Sequence, residues 1–478
     1  MLHADDTRWR RLTIAGVALF AAFRIPELTT YAFWYDELFS LSVAQQEWGD
    51  LFRAAVTDRT NPPLFYAMLK LWIGVGGESA AWLRLLPCLI GIGVAIPLAA
   101  LARRMFAPLD EPGAARPLGA AAVALAAGAA SPLLVALANE LRAYSLLLLA
   151  ATISMLAFAR VIESVGWLDP AKNTGDAPSW QGQAASERRR RVVQLLLANV
   201  VLVYAHYFGW LLVGTEVAVA LIWSRGAVKG VLMAAAATAV AFAPWALAVV
   251  AKAATAARPL ENVSWIARPT VGDLPVFYDA LVARVITPSF AAIGGLLLLA
   301  PLTVLMVNVF RPGGSLALRR RFAELCTLAA LPVLTVYAAS VILSGSAFVP
   351  RYLIVVAPAW WLIVGMAAAG MGISRWTGVR SLAAAGLMVA FTVTAGVMRE
   401  VRGGEKIAWN LVVGAIAADA GAAGGTVYSL EGFTALPVAY YAATAATAAT
   451  AASHLSVRPV RDLRQMTPPA WLVVRTIA

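Results

Sequence analysis

Apolar runs long enough to cross a bilayer recur along most of this chain, and no other feature restricts its fold so strongly. A helix needs about 20 apolar residues to cross about 30 Å of hydrocarbon. Candidate spans lie near 11–29, 83–104, 118–137, 145–161, 192–206, 209–223, 230–252, 290–310, 322–343, 352–372 and 378–397. Backbone groups left unpaired in lipid are costly, so helices are the expected spanning elements, and the Ala- and Leu-rich composition of the runs favours them. The chain is 61% hydrophobic and only 13% charged, where a soluble domain carries about 25% charged residues. A chain of 478 residues cannot hide so much apolar surface in a water-soluble core. A soluble enzyme and a disordered binder are excluded. The expected fold is mainly α, a polytopic transmembrane bundle of about eleven spans.

The net charge of +12 would suggest nucleic acid in a soluble protein, but its distribution argues otherwise. Arg8, Arg10 and Arg11, then Arg103, Arg104 and Arg116, then the run Glu187 to Arg191, Arg225 with Lys229, Arg319 to Arg321, and Arg375 with Arg380 fall at alternate connections. By the positive-inside rule these are cytoplasmic. The expected location is the plasma (inner) membrane, with a cytoplasmic N-terminus. Segments 30–82, 253–289 and 344–351, and everything after 398, then lie on the far side. The first apolar run has no Ala-x-Ala exit and continues into Arg24 and Pro26, so it reads as a span, not a cleaved signal. The parity holds only if Asn61 to Trp72 stays on the outer surface as an amphipathic helix, which its shortness and Lys70 favour. Cys88 and Cys326 sit in apolar runs and read as small buried hydrophobes.

Residues 164–187 read as a polar, turn-rich loop. The chain divides into a transmembrane region, 1–398, and a C-terminal region, 399–478, of different composition. In the latter, Glu405 to Ala418 and Gly432 to Thr447 read as helices and Thr426 to Leu430 and Trp471 to Ile477 as strands, giving a small extracytoplasmic α/β unit.

Polar residues kept at the membrane edge point to function. The first outer loop carries Trp34, Tyr35, Asp36 and Glu37: aromatics that can stack on sugar or lipid beside a carboxylate able to take a proton from a hydroxyl. An aromatic belt with incidental acids fits equally well. Asp58 and Asn61 precede Pro62-Pro63-Leu64-Phe65-Tyr66, where a turn-and-cap role is the alternative. Arg142, beside Tyr144, and Arg351, beside Tyr352, stand on the wrong side of the charge rule. They are candidates to clamp a phosphate; an internal salt bridge or snorkelling to headgroups also explains them. His206 could hydrogen-bond substrate or join Asp36, Glu37 and Asp58 around a divalent metal, although no ligand spacing marks such a site. No phosphate-binding glycine loop, zinc-protease histidine pair or serine elbow occurs. A transporter or lipid flippase would keep ionisable groups near the midplane of repeated, broken helices. Here they gather on one face, which favours an enzyme of the outer interface over a transporter or a non-enzymatic scaffold.

Taken in order, Tyr35-Asp36-Glu37, Asp58 with Asn61-Pro62-Pro63-Leu64-Phe65-Tyr66, Arg142-Ala143-Tyr144, His206 and Arg351-Tyr352 resemble the protein mannosyltransferase and aminoarabinose-transferase superfamily, membrane glycosyltransferases of the C-type fold. The resemblance covers residues 10–400. It implies inverting transfer of a sugar from a polyprenyl-phosphate donor to a glycan, lipid or protein acceptor outside the cytoplasm, among membrane lipids and without nucleotide or nucleic acid. It also implies Asp36 as general base with Glu37 as its partner acid, Arg142 and Arg351 with Tyr352 at the lipid phosphate, and Asp58 and Asn61 in the acceptor region. Relatives commonly have histidine or lysine where Asn61 stands, and some have aspartate in place of Tyr144, which leaves acceptor and metal open.

Overall fold

A computed structural model describes residues 2–29, 31–106, 116–165, 178–255, 266–282, 316–343, 345–371, 408–420, 425–429, 432–448, 455–459 and 470–473. The candidate spans 290–310 and 378–397, with Arg375 and Arg380, lie outside them, as do residues 166–177 of the 164–187 loop; from Pro178 onward that segment is not loop but the start of a helix that runs on to Ala205. In chain order the helices are α1 (Leu2–Arg24), α2 (Tyr35–Ala44), α3 (Trp48–Asp58), α4 (Leu64–Gly76), α5 (Ala80–Gly93), α6 (Ala95–Phe106), α7 (Arg116–Ala130), α8 (Pro132–Ala138) and α9 (Tyr144–Glu163). They continue with α10 (Pro178–Ala205), α11 (Gly209–Trp223), α12 (Val228–Ala254), α13 (Asp273–Ala280), α14 (Leu316–Ile342), α15 (Ala357–Met371), α16 (Trp409–Ala420) and α17 (Gly432–Ala448). Every candidate span within the described residues coincides with a helix or a broken pair of helices. Among the described residues, 4 helical stretches are long and apolar enough to cross a membrane, or up to 5 if the bent α7–α8 pair is one span. On α12, Val240, Leu247 and Val250 are 74%, 69% and 64% exposed, the apolar face expected of a helix solvated by lipid.

The centre of the bundle is built from α1, α6, α7, α9 and α15, with α10, α11, α12 and α14 packed on its flank. Small residues permit a close crossing: a Cβ on Gly365 of α15 would collide with the Ala120 carbonyl oxygen of α7, the close approach that glycine and alanine allow between membrane helices. Pro132 cannot continue the helix hydrogen bonding, and α7 and α8 meet at 57°. The carbonyls freed at that bend need donors. Arg24, fully buried at the end of α1, donates to Gly128 O at 3.1 Å and Ala129 O at 3.0 Å and lies 4.4 Å from the centre of the Phe20 ring. The bend directs α8 into the loop that carries Arg142.

The C-terminal elements form a parallel sheet of order β2-β1-β3, with β1 at Gly425–Ser429, β2 at Leu455–Pro459 and β3 at Ala470–Val473. β1, β3 and both helices match the sequence reading to within a few residues. β2 was not anticipated, because Ser456, Arg458 and Pro459 dilute its apolar character. Trp409, Val413, Ile416, Val427, Val438, Ala442 and Val473 form a core of its own. This unit leans on the first loop: the Phe33 N–H donates to the Tyr441 hydroxyl at 2.7 Å, and the Phe33 and Tyr440 rings meet edge to face at 5.8 Å.

Candidate active site

Asp36 and Glu37 occupy the first turn of α2, where the helix dipole favours negative charge. Their environments are opposite. Glu37 is fully buried, and both its oxygens are occupied. Oε2 accepts from the Trp34 N–H at 3.3 Å, closing the helix N-terminus, and from Arg84 Nη2 at 3.0 Å. Oε1 accepts from Arg84 Nε at 3.0 Å and from the Leu141 N–H at 3.1 Å. Arg84, on α5, also donates to the carbonyls of Tyr31 at 2.6 Å and Ala32 at 3.2 Å and stacks 4.5 Å from the Phe33 ring centre. One buried ion pair thus joins the first outer loop, α2, α5 and the loop before α9. Asp36 is partly exposed, and among the described residues its carboxylate takes no hydrogen bond or ion pair.

Arg142 is brought beside Asp36 by that junction. Its Nη1 lies 3.5 Å from the Asp36 carbonyl and 3.4 Å from Ser40 Oγ, and Ser40 itself donates to the Asp36 carbonyl at 2.9 Å. Burial opposes the charge of Arg142, but Asp36, Tyr144 and Tyr66 outweigh it and hold the guanidinium firmly protonated. Arg351 arrives from the turn Pro350–Tyr352 and lies 5.6 Å from the ring centres of both Trp34 and Tyr352, within cation–π range. It too feels the charge of Asp36. Both arginines read from the sequence therefore lie within electrostatic reach of the open carboxylate.

An aromatic wall completes this junction. Tyr352 packs on His206 at 5.3 Å, Phe208 at 5.3 Å and Tyr144 at 6.4 Å. Trp34 Nε1, Tyr66 Oη and Tyr144 Oη are buried without a hydrogen bond of ordinary geometry, although Tyr66 faces Asn61 and Tyr144 faces Arg142. Tyr66 also feels the charges of Arg142, Asp58 and Asp36, so this wall borders the open carboxylate. Tyr35 stacks on Phe39 one turn along α2 at 6.4 Å, and its hydroxyl feels the charges of Asp36, Asp58 and Arg142.

Asp58 ends α3 and accepts from the Thr60 N–H at 3.2 Å, with Arg59 between them at φ 60°. This is the turn role the sequence offered as an alternative, although Asp58 also acts electrostatically on Tyr66. Burial raises the Asp58 carboxyl above its ordinary range, Thr60 and Arg142 pull it down, and Asp36 raises it again. His206 is buried, and its Nδ1 accepts from the Phe208 N–H at 3.2 Å. Among the described residues no three His, Cys, Asp or Glu side chains gather to hold a metal ion; aromatic rings surround His206, which also feels the charges of Arg142 and Arg351. Arg84 was not singled out from the sequence, although it breaks the charge rule in the same sense as Arg142 and Arg351.

This arrangement of helices is shared with solved structures. ArnT from Cupriavidus metallidurans in the apo state superposes with a TM-score of 0.54 at 16% identity, covering 91% of this chain and 84% of that one. ArnT bound to undecaprenyl phosphate gives 0.52 at 16% identity, covering 90% and 84%. Archaeal oligosaccharyltransferase AglB from Archaeoglobus fulgidus, in complex with an inhibitory peptide and a dolichol-phosphate, gives 0.50 at 11% identity, covering 85% of this chain and 57% of that one. Both are membrane glycosyltransferases of the C-type fold. This chain has that fold. No family model and no curated protein matches it by sequence. Within the C-type fold, the helices described here belong to a multi-pass membrane protein.

Proposed function

We propose that this protein transfers a sugar, with inversion, from a polyprenyl-phosphate-linked donor to an acceptor at the outer face of the plasma membrane. In this reading the bundle has about eleven spans, a cytoplasmic N-terminus and an extracytoplasmic α/β unit. The observation that carries it is the open Asp36 carboxylate beside two arginines, in contrast to the closed Glu37 next to it. The likeness to ArnT bound to undecaprenyl phosphate and AglB with a dolichol-phosphate supports the donor class.

Asp36 acts as general base on the acceptor hydroxyl. A phosphate leaving group needs little acid help, but gains from cations as its negative charge develops, and Arg142 and Arg351 supply them. A single carboxylate therefore suffices, unlike the acid and base pair of inverting glycosidases. Trp34, Tyr66, Tyr144 and Tyr352 offer stacking faces and hydrogen bonds to sugar and lipid phosphate. Asp58 and Asn61 border the acceptor side. Glu37, closed on Arg84, positions the base.

Asp36→Asn preserves size and removes the base. Purified enzyme assayed with lipid-linked sugar is expected to lose roughly 100- to 10,000-fold in rate at unchanged abundance and membrane insertion. Retained transfer overturns the reading.

A further inference from the structure

Inside the bundle, away from the candidate site, polar side chains from three helices meet. Ser154 of α9, Asn199 of α10 and Glu216 of α11 are 0%, 1% and 0% exposed. Ser154 Oγ lies 2.5 Å from Asn199 Oδ1 and 2.6 Å from Glu216 Oε1, and Asn199 Nδ2 lies 3.1 Å from Glu216 Oε2. Besides burial, only Ser154 and Asn199 bear on Glu216, and it has no cation partner among the described residues.

Counting hydrogens fixes its chemical state. The ring has three contacts and each needs one hydrogen. The serine hydroxyl has one to give. The asparagine amide presents its oxygen to one neighbour and its nitrogen to the other, so it supplies one more. With the amide as placed, Asn199 donates to Glu216 Oε2 and Ser154 must donate to Asn199 Oδ1, which leaves the Glu216 Oε1 contact to be filled from the carboxyl. With the amide turned over, Asn199 donates to Ser154 and Ser154 donates to Oε1, and the contact between Asn199 oxygen and Oε2 again lacks a hydrogen. Both orientations require a proton on Glu216. An ionised carboxylate would force two oxygens together at hydrogen-bond distance with nothing between them.

We propose that Glu216 is held as a neutral carboxylic acid, and that its proton closes a three-helix ring which positions the candidate site. Ser154 lies ten residues into the helix that begins at Tyr144, about 15 Å along its axis. Asn199 and Glu216 flank the turn that carries His206 and Phe208, each about 10 Å from it. The ring therefore sets the axial register of the elements that bring Tyr144, His206 and Phe208 against Tyr352. Glu216 is a positioning residue in this account, since it touches none of the reacting groups. Its effect on activity rests on the transferase reading; its protonation does not.

Two measurements on the full-length protein in lipid nanodiscs test this. In the infrared, the wild type at neutral pH is expected to show the carbonyl band of a protonated carboxylic acid that is lost in Glu216→Gln; absence of such a difference overturns the protonation. Glutamine supplies the missing hydrogen from its amide, so Glu216→Gln is expected to keep wild-type thermal stability and kcat, while Glu216→Ala and Ser154→Ala lose stability and about tenfold in kcat, with KM little changed. Ser154→Ala gives the same comparison should Glu216→Ala not be recovered. A glutamine variant as damaged as the alanine variants overturns the ring. If wild type shows no transfer at all, the transferase reading fails, and the infrared band and thermal stabilities still decide the ring.

Discussion

The two ends of the bundle both collect arginines and use them in opposite ways. At the end carrying the α6 C-terminus, arginines close on acids: Arg103 on Asp6, Arg104 on Glu163, Arg191 on Glu187, and Arg320 and Arg321 on Glu324. At the end carrying α2, one pair closes completely, Arg84 on Glu37, and its neighbour Asp36 is left open to Arg142 and Arg351. Charge at the first end answers the membrane. At the second it is sorted, one carboxylate spent on architecture so that the next can face a ligand.

The sharpest way to break this contrast is to remove the closed pair. Arg84→Ala leaves Glu37 buried and unpaired, which should cost about 3–5 kcal/mol and lower the midpoint of thermal unfolding in detergent. The control is Arg103→Ala: its pair is about half exposed, with Arg103 at 47% and Asp6 at 64%, and should contribute at most about 1 kcal/mol. Equal losses at both ends would remove the distinction.

A smaller effect separates position from charge in the open group. Arg142→Lys keeps the cation but loses the planar fork that fits a phosphate. Binding of a polyprenyl phosphate is expected to weaken by roughly 1.5–3 kcal/mol, with little change in thermal stability. Unchanged affinity would take Arg142 out of the donor site.

Much of this was legible in the sequence, for physical reasons that also explain the gaps. Hydrophobic runs reveal helices because lipid leaves the backbone no other choice. Arg142 and Arg351 stood out because an arginine against the charge rule needs a reason, and both feel the charge of Asp36. The difference between Asp36 and Glu37 was not legible. Adjacent residues of one type look alike until the chain brings Arg84 and the Leu141 N–H to one of them. Ser154, Asn199 and Glu216 lie in separate apolar runs, where each alone reads as a tolerated polar residue. Only the packing of α9, α10 and α11 turns them into a ring. The strand β2 escaped because a short strand pairing with a neighbour distant in sequence needs little apolar alternation of its own.

The mildest test concerns Asp58, which shares the open end and, like Asp36, is partly buried. Burial, the leading cause, raises its carboxyl above the ordinary range, against the pull of Thr60 and Arg142. The folded protein therefore holds this proton more tightly than the unfolded chain does. The sign follows from linkage: Asp58 favours the folded state fully below the ordinary carboxylate range, and that contribution is lost as pH rises through the raised value. Asp58→Asn removes the titration while keeping an acceptor for the Thr60 N–H. Its unfolding midpoint should therefore exceed that of the wild type at neutral pH, with the gap closing as pH falls into the carboxylate range. A gap that widens on acidification would mean that Arg142 dominates Asp58, and that the cationic side of this junction reaches further towards α3 than the burial of Asp58 implies.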